Sequence, residues 1–168
     1  MQRAEDDVAG LGGGERGVDR FQVAELADAF PGLSIVLNHV GTPILGGPYA
    51  ENRQQVFADW RASMAELARR PNVTVKLGAL PIRLPGGMYD RNTPPGSEEA
   101  AIAWRPWLES CIELFGPDRC MFESNFPVDK GLCSYVSCWN AFKRIAAGYS
   151  AAEKADLFHG TAKRFYKL

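Results

Sequence analysis

Three short apolar runs alternate with longer amphipathic segments from residue 19 to the end of this 168-residue chain. The runs cover residues 33–39, 73–78 and 119–125, and the segments between them carry apolar residues at helical spacing. Strands that alternate with long helices require parallel pairing through right-handed crossovers. The order α-β-α-β-α-β-α-α therefore predicts an α/β fold, which is either a doubly wound sheet or a segment of a barrel.

The loops at the two ends of each predicted strand differ in length. The loop before each strand is a clipped turn, whereas the loop after it is long and rich in Gly, Pro and polar residues, as in residues 80–96. Loops at the carboxyl ends of parallel strands are where α/β proteins carry function. We therefore expect functional side chains at these ends.

Capping signals predict where several helices begin. Asp19 with Gln22 and Ser150 with Glu153 have the spacing of capping boxes. Ser97 is expected to cap a helix that carries two glutamates in its first turn and runs to Phe115. A further helix is predicted over residues 134–147.

Composition and charge exclude several classes of function. The 19 Lys and Arg residues are spread among 20 Asp and Glu residues, the net charge is −1, and no basic stripe is present. No apolar run approaches the ~20 residues of a membrane-spanning helix, and the first residues lack the apolar stretch of a secretory signal. We expect a cytoplasmic protein that binds a small-molecule substrate, and neither nucleic acid nor membranes.

Residues 1–18 differ in composition from the remainder of the chain. They are acidic and then Gly-rich (GLGGGERG), with few apolar residues, and predict a flexible lead-in before a domain over residues 19–168. The glycines are not a phosphate loop, because no strand precedes them and no Lys-Ser/Thr follows. The four cysteines form no C-x-x-C pair, so we expect buried apolar thiols and not zinc ligands.

Four side chains at or near strand ends are candidates for chemistry: His39, Lys76, Glu123 and Asn125. In a closed barrel, the carboxyl ends of the strands converge on one pocket. His39 is either a core histidine bonded to the backbone, or an acid/base, a metal ligand or a donor to substrate. Period-two alternation places Glu123 and Asn125 on one face of the third strand.

Lys76 and Glu123 each have two interpretations from the residues alone. Alternation places Lys76 on the more polar face of its strand, which is a barrel lumen or an exposed edge. Glu123 is either an acid/base or the partner of Lys76 or Arg119 in a salt bridge. His159 lies between two helical pieces and is interpreted as structural. The four tryptophans lie at helical spacing and are expected in the core.

Four motifs in order resemble the amidohydrolase-related family of TIM barrels, and the resemblance extends over residues 19–168. The motifs are IVLNHVGTP at 35–43, NVTVKLG at 72–78, RCMFESNFP at 119–127 and LFHGTA at 157–162. The family includes sugar-acid lactonases, a pyrone-dicarboxylate lactonase and metal-dependent decarboxylases. The resemblance implies the C-terminal portion of a (β/α)8 barrel, with the three strands here as the sixth, seventh and eighth.

The resemblance also implies roles for two of the candidates. His39 matches the histidine that ends the sixth strand, a catalytic or substrate-contacting group, which could also bind a metal. Asn125 matches an aspartate that binds a divalent metal such as zinc or, in metal-free lactonases, activates water. An amide can neither take a proton nor serve as an anionic ligand, although Glu123 could replace it as the base. The family's His-x-His is absent together with strands one to five, and we expect a truncated or mis-started gene product or a fragment, with an authentic short form as the alternative.

These observations predict a hydrolase that opens a lactone or another cyclic ester or amide by attack of water. A carboxylate would activate the water, while His39 and Lys76 would polarise the carbonyl oxygen. The alternative is a non-catalytic barrel remnant or a partner-binding half-barrel. Three strands cannot close a barrel, so we expect the chain to self-associate through exposed edges or to be weakly stable. A nucleotide-binding fold is disfavoured because no Gly-rich turn follows a strand.

Overall fold

The structure is a computed structural model that describes residues 20–45, 49–80 and 93–168. The predicted lead-in over residues 1–18 and the capping box that begins at Asp19 lie outside the described residues. Most of the predicted Pro/Gly-rich loop does as well. The described residues contain the strands, the helices and some of the connections between them.

Three parallel strands form one sheet, in the order β1 (Ile35–Leu37), β2 (Val73–Leu77) and β3 (Cys120–Phe122). Ile35 pairs with Val73 across the first junction, and Val75 pairs with Cys120 across the second. The predicted parallel α/β arrangement is confirmed. The strands are shorter than the apolar runs that predicted them, so the candidate residues near 39 and 123–125 lie beyond the strand ends.

The helices follow the predicted order, with the last one interrupted. They are α1 (Arg20–Ala29), α2 (Arg53–Ala68), α3 (Ser97–Phe115), α4 (Tyr135–Ile145), α5 (Ala151–Ala155) and α6 (Thr161–Tyr166). A π-helical turn, Asp156–Gly160, joins α5 to α6. In the described ranges, no helix combines the length and the apolar composition that crossing a membrane requires.

Strand β2 separates the two faces of the sheet. Val73, Val75 and Leu77 have no exposed surface and belong to the hydrophobic core, in which they join residues of the helices. Thr74 and Lys76 alternate with them and are partly exposed. The predicted polar face of this strand is thus confirmed, and we call the side that carries Thr74 and Lys76 the polar face.

Two of the predicted helix starts can be compared with the structure. The Ser150 hydroxyl accepts from the Glu153 amide at 3.3 Å and the Glu153 carboxylate accepts from the Ser150 amide at 2.7 Å, so this capping box is confirmed. The prediction for Ser97 is wrong by one residue, because Gly96 is the cap and Ser97 is already helical. The carboxylate of Glu99 accepts from the Gly96 amide at 3.3 Å, which satisfies one free donor of the helix start.

Candidate active site

Three of the four candidate side chains meet beyond the carboxyl ends of the strands. His39 follows β1, Lys76 lies near the end of β2, and Glu123 follows β3. His39 Nδ1 lies 2.6 Å from Glu123 Oε1, and Lys76 Nζ lies 3.8 Å from Glu123 Oε2. The side chains of His39 and Lys76 are each 25% exposed and that of Glu123 is 15% exposed. The three groups therefore form a half-buried cluster that solvent can reach.

Glu123 holds His39 through two donors to the same carboxylate oxygen. Besides the ring nitrogen, the backbone amide of His39 donates to Glu123 Oε1 at 3.3 Å. An ionised carboxylate only accepts hydrogen bonds, so a neutral His39 bonded to it carries its proton on Nδ1. The lone pair of Nε2 is then free for a proton or for another ligand.

The chain after β1 turns in the left-handed conformation. Residues His39, Val40, Gly41 and Thr42 all have positive φ angles, between 47° and 72°. The Gly41 amide donates to the Asn38 carbonyl at 3.0 Å and the Thr42 amide donates to the His39 carbonyl at 2.8 Å. This turn directs the chain away from the sheet immediately after His39, which leaves the imidazole at the strand end.

Gly78 allows Glu123 to cross the end of the neighbouring strand. A Cβ atom at position 78 would lie 2.1 Å from the Glu123 carbonyl oxygen and 2.5 Å from Glu123 Cγ. The Glu123 amide also donates to the Leu77 carbonyl at 3.2 Å, which extends the β2–β3 pairing by one residue. Any larger residue at 78 would push Glu123 away from His39, so Gly78 belongs to the site although it carries no side chain.

Lys76 projects from the polar face beside the carboxylate and an aromatic ring. Its Nζ lies 5.8 Å from the ring centroid of Tyr166, within the distance of a cation–π contact. The interpretation of Glu123 as a salt-bridge partner of Lys76 is thus confirmed, whereas its role as an acid or base stays a prediction. Arg119, the other partner considered, instead donates to backbone carbonyls, including those of Phe115 and Arg70.

Asn125 does not lie where period-two alternation along the third strand predicts. Strand β3 ends at Phe122, and Asn125 has a φ of 54°, so period-two alternation does not extend to it. Its side-chain amide donates to Asp129 Oδ1 at 2.9 Å. None of the hydrogen bonds recorded between described residues joins Asn125 to His39 or Glu123. The structure therefore brings together three of the four candidates and leaves Asn125 bonded within its own loop.

Some residues around the site carried little sequence signal. Gly78 has a signal in principle, since a glycine at a strand end often marks close approach of another chain segment. Tyr166 lies far from the strand ends in the sequence, and Asp129 lies in a loop. No sequence pattern links either residue to the site. Asp129 is 1% exposed, which the surrounding polar sequence does not indicate.

The burial of side chains tests the remaining predictions, which concern the tryptophans, His159 and the cysteines. Trp60, Trp104 and Trp107 are in the core as predicted, and Trp139 is partly buried against it. His159 is exposed in the π-helical turn, and its imidazole makes no hydrogen bond to the described residues. All four cysteines are free and buried, which confirms their interpretation as apolar core groups.

A bound zinc ion requires several His, Cys, Asp or Glu ligands that lie close together. Residues 20–45, 49–80 and 93–168 contain no group of three or more His, Cys, Asp or Glu side chains that could hold a metal ion. His39 alone has the usual setting of a metal-bound histidine, with a carboxylate on its second ring nitrogen. One ligand does not make a zinc site. The described residues therefore do not fit a complete metal centre.

Comparison with known proteins gives relatives that are longer than this chain. L-fucono-1,5-lactonase of Burkholderia multivorans is 33% identical over 136 residues, which cover 80% of this chain and 43% of that protein. The uncharacterized protein y4mH of Sinorhizobium fredii is 42% identical over 144 residues, which cover 86% of this chain and 42% of that protein. The chain thus spans less than half the length of these curated relatives.

Solved structures show the same correspondence in three dimensions. A crystal structure of an amidohydrolase from Burkholderia multivorans with bound zinc matches with a TM-score of 0.73 at 30% identity, covering 90% of this chain and 51% of that one. The predicted portion of an α/β TIM barrel is therefore confirmed. A family profile described as amidohydrolase matches residues 15–168. The chain belongs to the amidohydrolase family.

Proposed function

We propose that this chain supplies the acid/base part of a strand-end pocket that hydrolyses a lactone. The observation that carries the proposal is the 2.6 Å contact between His39 Nδ1 and Glu123 Oε1 beside the Lys76 ammonium. A base oriented by a carboxylate, with a cation beside that carboxylate, can promote attack of water on an ester carbonyl. The similarity to the Burkholderia L-fucono-1,5-lactonase supports a sugar lactone as the substrate class.

His39 is assigned as the general base and Glu123 as its positioning residue. Because Glu123 Oε1 already accepts two donors from His39, its carboxylate is engaged in holding the imidazole. His39 Nε2 takes a proton from water as the oxygen attacks the lactone carbonyl carbon. The Glu123 carboxylate stabilises the imidazolium that results. This assignment differs from the sequence-based expectation, in which the carboxylate itself activated water.

Lys76 is assigned to the oxygen that becomes negative. Its ammonium lies on the polar face, 3.8 Å from Glu123 Oε2, and is exposed enough to reach a bound ligand. A cation near the developing oxyanion lowers the barrier for addition of water. When the ring C–O bond breaks, His39 returns its proton to the leaving oxygen. One lactone and one water thus give one hydroxy acid, and the enzyme is regenerated.

The test is hydrolysis of L-fucono-1,5-lactone by the purified chain and by three single variants. We expect His39→Asn and Glu123→Gln to lower kcat/KM by about 10²–10⁴-fold, the usual contribution of an acid/base group. Lys76→Met should lower kcat by on the order of 10²-fold, as removal of an oxyanion-stabilising group does. His159→Gln, at an exposed histidine remote from this cluster in sequence, is the matched control and should retain activity.

Two outcomes would contradict the assignment. Equal activity of His39→Asn and the unmodified chain would remove His39 from the chemistry. Absence of hydrolysis over a panel of sugar lactones, by a chain shown to be folded, would favour the non-catalytic half-barrel.

A further inference from the structure

The left-handed turn after β1 is an unfavourable conformation at a central point of the site. Val40 has a φ of 47° and its neighbours His39 and Thr42 have φ angles of 55° and 53°. Side chains other than Gly adopt this region rarely, and a β-branched residue such as valine does so at a real cost. Such conformations persist only where the surrounding structure enforces them. The contacts around Val40 must therefore hold this turn.

Trp60 is bonded directly to the backbone of the turn. Its indole Nε1 donates to the Val40 carbonyl at 2.8 Å in a buried hydrogen bond. Trp60 is 1% exposed and Val40 has no exposed surface, so water cannot readily replace either partner. The peptide that follows Val40 is thus attached to helix α2, which is packed in the core.

The indole itself is fixed by neighbouring aromatic rings. The ring centroid of Trp60 lies 4.7 Å from that of Trp107 and 5.5 Å from that of Phe57. Phe57 and Trp107 in turn meet edge to face, with centroids 4.8 Å apart. A side chain held on several sides directs its one donor to a constant position, which suits it to set a backbone geometry.

We infer that Trp60 is a positioning residue for the His39–Glu123 pair. Its hydrogen bond to the Val40 carbonyl keeps residues 39–42 in the left-handed turn, and the turn places the imidazole within hydrogen-bonding distance of Glu123. Without that bond, the turn can relax toward the favoured right-handed region and move His39. The catalytic meaning of this inference rests on the proposed function, whereas the geometry can be tested without any activity.

The discriminating variants are Trp60→Phe and Trp107→Phe. Both shorten a buried aromatic side chain in the same cluster, and both cost packing. Only the first removes the donor to Val40, since no hydrogen bond is recorded from Trp107 to residues 39–42, all of which are described. A purely structural role for Trp60 predicts equal behaviour of the two variants at His39.

The first readout is the imidazole NMR spectrum of the two histidines. His159→Gln assigns the His39 signals, and Glu123→Gln defines how they change when the pair is broken. We expect Trp60→Phe to shift His39 Nδ1–H toward the position seen in Glu123→Gln, while Trp107→Phe leaves it in place. An unchanged His39 signal in folded Trp60→Phe would overturn the inference, and so would an equal change in both variants.

The second readout is hydrolysis of L-fucono-1,5-lactone. A displacement of His39 should lower kcat in Trp60→Phe by on the order of 10²-fold with little change in KM, because misplacement of a reacting group acts on the chemical step. Trp107→Phe should retain most of its activity, and equal losses would overturn the inference. If the unmodified chain hydrolyses no lactone, the proposed function fails, and the imidazole spectrum alone decides the role of Trp60.

A third measurement avoids Trp60 variants if Trp60→Phe does not fold. Coupling between two sites is reciprocal, so breaking the His39–Glu123 pair should loosen the bond at Trp60. We expect faster hydrogen exchange of the Trp60 indole N–H in His39→Asn and Glu123→Gln, with the Trp107 indole unchanged. Equal exchange rates at Trp60 in these variants and in the unmodified chain would contradict the coupling.

Discussion

Asn125 shows how a single residue can match a family motif and still take another role. Its amide donates to Asp129, whose side chain is 1% exposed. A buried carboxylate needs donors, and Asn125 is one of those that it has. The amide at this position is therefore explained by the loop itself. An aspartate here would place two carboxylates face to face.

The first prediction at this scale concerns Asn125→Asp. We expect the free energy of unfolding at pH 7 to fall by about 1–3 kcal/mol, the usual cost of leaving a buried acceptor without its donor. The loss should shrink as the pH falls toward the ordinary Asp value of about 4, because two carboxylates in contact raise the pKa of one of them and a proton then bridges the pair. Urea unfolding at several pH values measures it.

Asn140→Asp is the matched control, because Asn140 is exposed on α4. It should change the stability by no more than about 0.5 kcal/mol. An Asn125→Asp variant that is as stable as this control would show that the Asn125–Asp129 bond is unimportant for stability.

At the scale of elements, Arg119 connects the ends of two helices next to β3. Its guanidinium donates to the carbonyls of Phe115 at 2.9 Å, Arg70 at 2.8 Å and Ala68 at 3.0 Å. Ala68 and Phe115 are the last residues of α2 and α3, where helix carbonyls lack partners within the helix. One planar guanidinium therefore donates to three backbone carbonyl oxygens that would otherwise lack these donors.

We predict that Arg119→Met lowers the free energy of unfolding by about 3 kcal/mol, because bonds to a charged donor contribute about 1.5–3 kcal/mol and are not additive. Arg61→Met is the control. Arg61 binds Glu113 at 2.8 Å on the surface, where such pairs contribute about 0–1 kcal/mol. Chemical denaturation of both variants decides the matter, and similar losses would argue against a special role for Arg119.

The elements themselves were largely predictable from the sequence, whereas their ends were not. Periodicity locates each strand because burial on a parallel sheet requires apolar residues, and Val73, Val75 and Leu77 show this directly. The first strand begins two residues later than its apolar run. Leu33 lies in a turn, and its carbonyl accepts from the side chain of Asn72, 39 residues away in sequence. A contact between distant residues has no local signal.

The site was predictable in its members and not in its geometry. His39, Lys76 and Glu123 could be named because parallel strands bring their carboxyl ends together. The left-handed turn at Val40 could not, because valine disfavours that conformation and contacts with residues distant in sequence, such as the Trp60 bond, help to enforce it. The predicted position of Asn125 was wrong because strand β3 ends at Phe122, before this residue. The end of the strand depends on the loop in which Asn125 binds Asp129.

At the scale of the whole molecule, the buried thiols connect stability with alkaline pH. Burial raises the pKa of Cys133 to about 11 and that of Cys138 to about 12. Burial also raises the pKa of Cys111 and of Cys120 above the ordinary value of 9.0. In the folded protein these thiols keep their protons at a pH where the unfolded chain has lost them.

We predict that thermal stability falls as the pH rises above about 9. The unfolded state then binds fewer protons than the folded state, so the free energy of unfolding decreases with pH, and Cys133 and Cys138 contribute to this decrease until they ionise in the folded protein at about pH 11 and 12. Melting temperatures between pH 7 and 11 measure this decrease. Cys133→Ala together with Cys138→Ala should make it smaller, and an unchanged slope would show that other groups cause it.

The self-association expected from open sheet edges stays a prediction.

Strand β2 keeps the support of the fold and the lining of the site on opposite sides of one five-residue segment. Val73, Val75 and Leu77 face the core, while Thr74 and Lys76 face the other way. Mutations at 74 can therefore accumulate at little cost in folding, whereas changes at 73, 75 or 77 are removed by selection for stability. Changes on the polar face of β2 can in this way accumulate while the packed face of the strand stays constant.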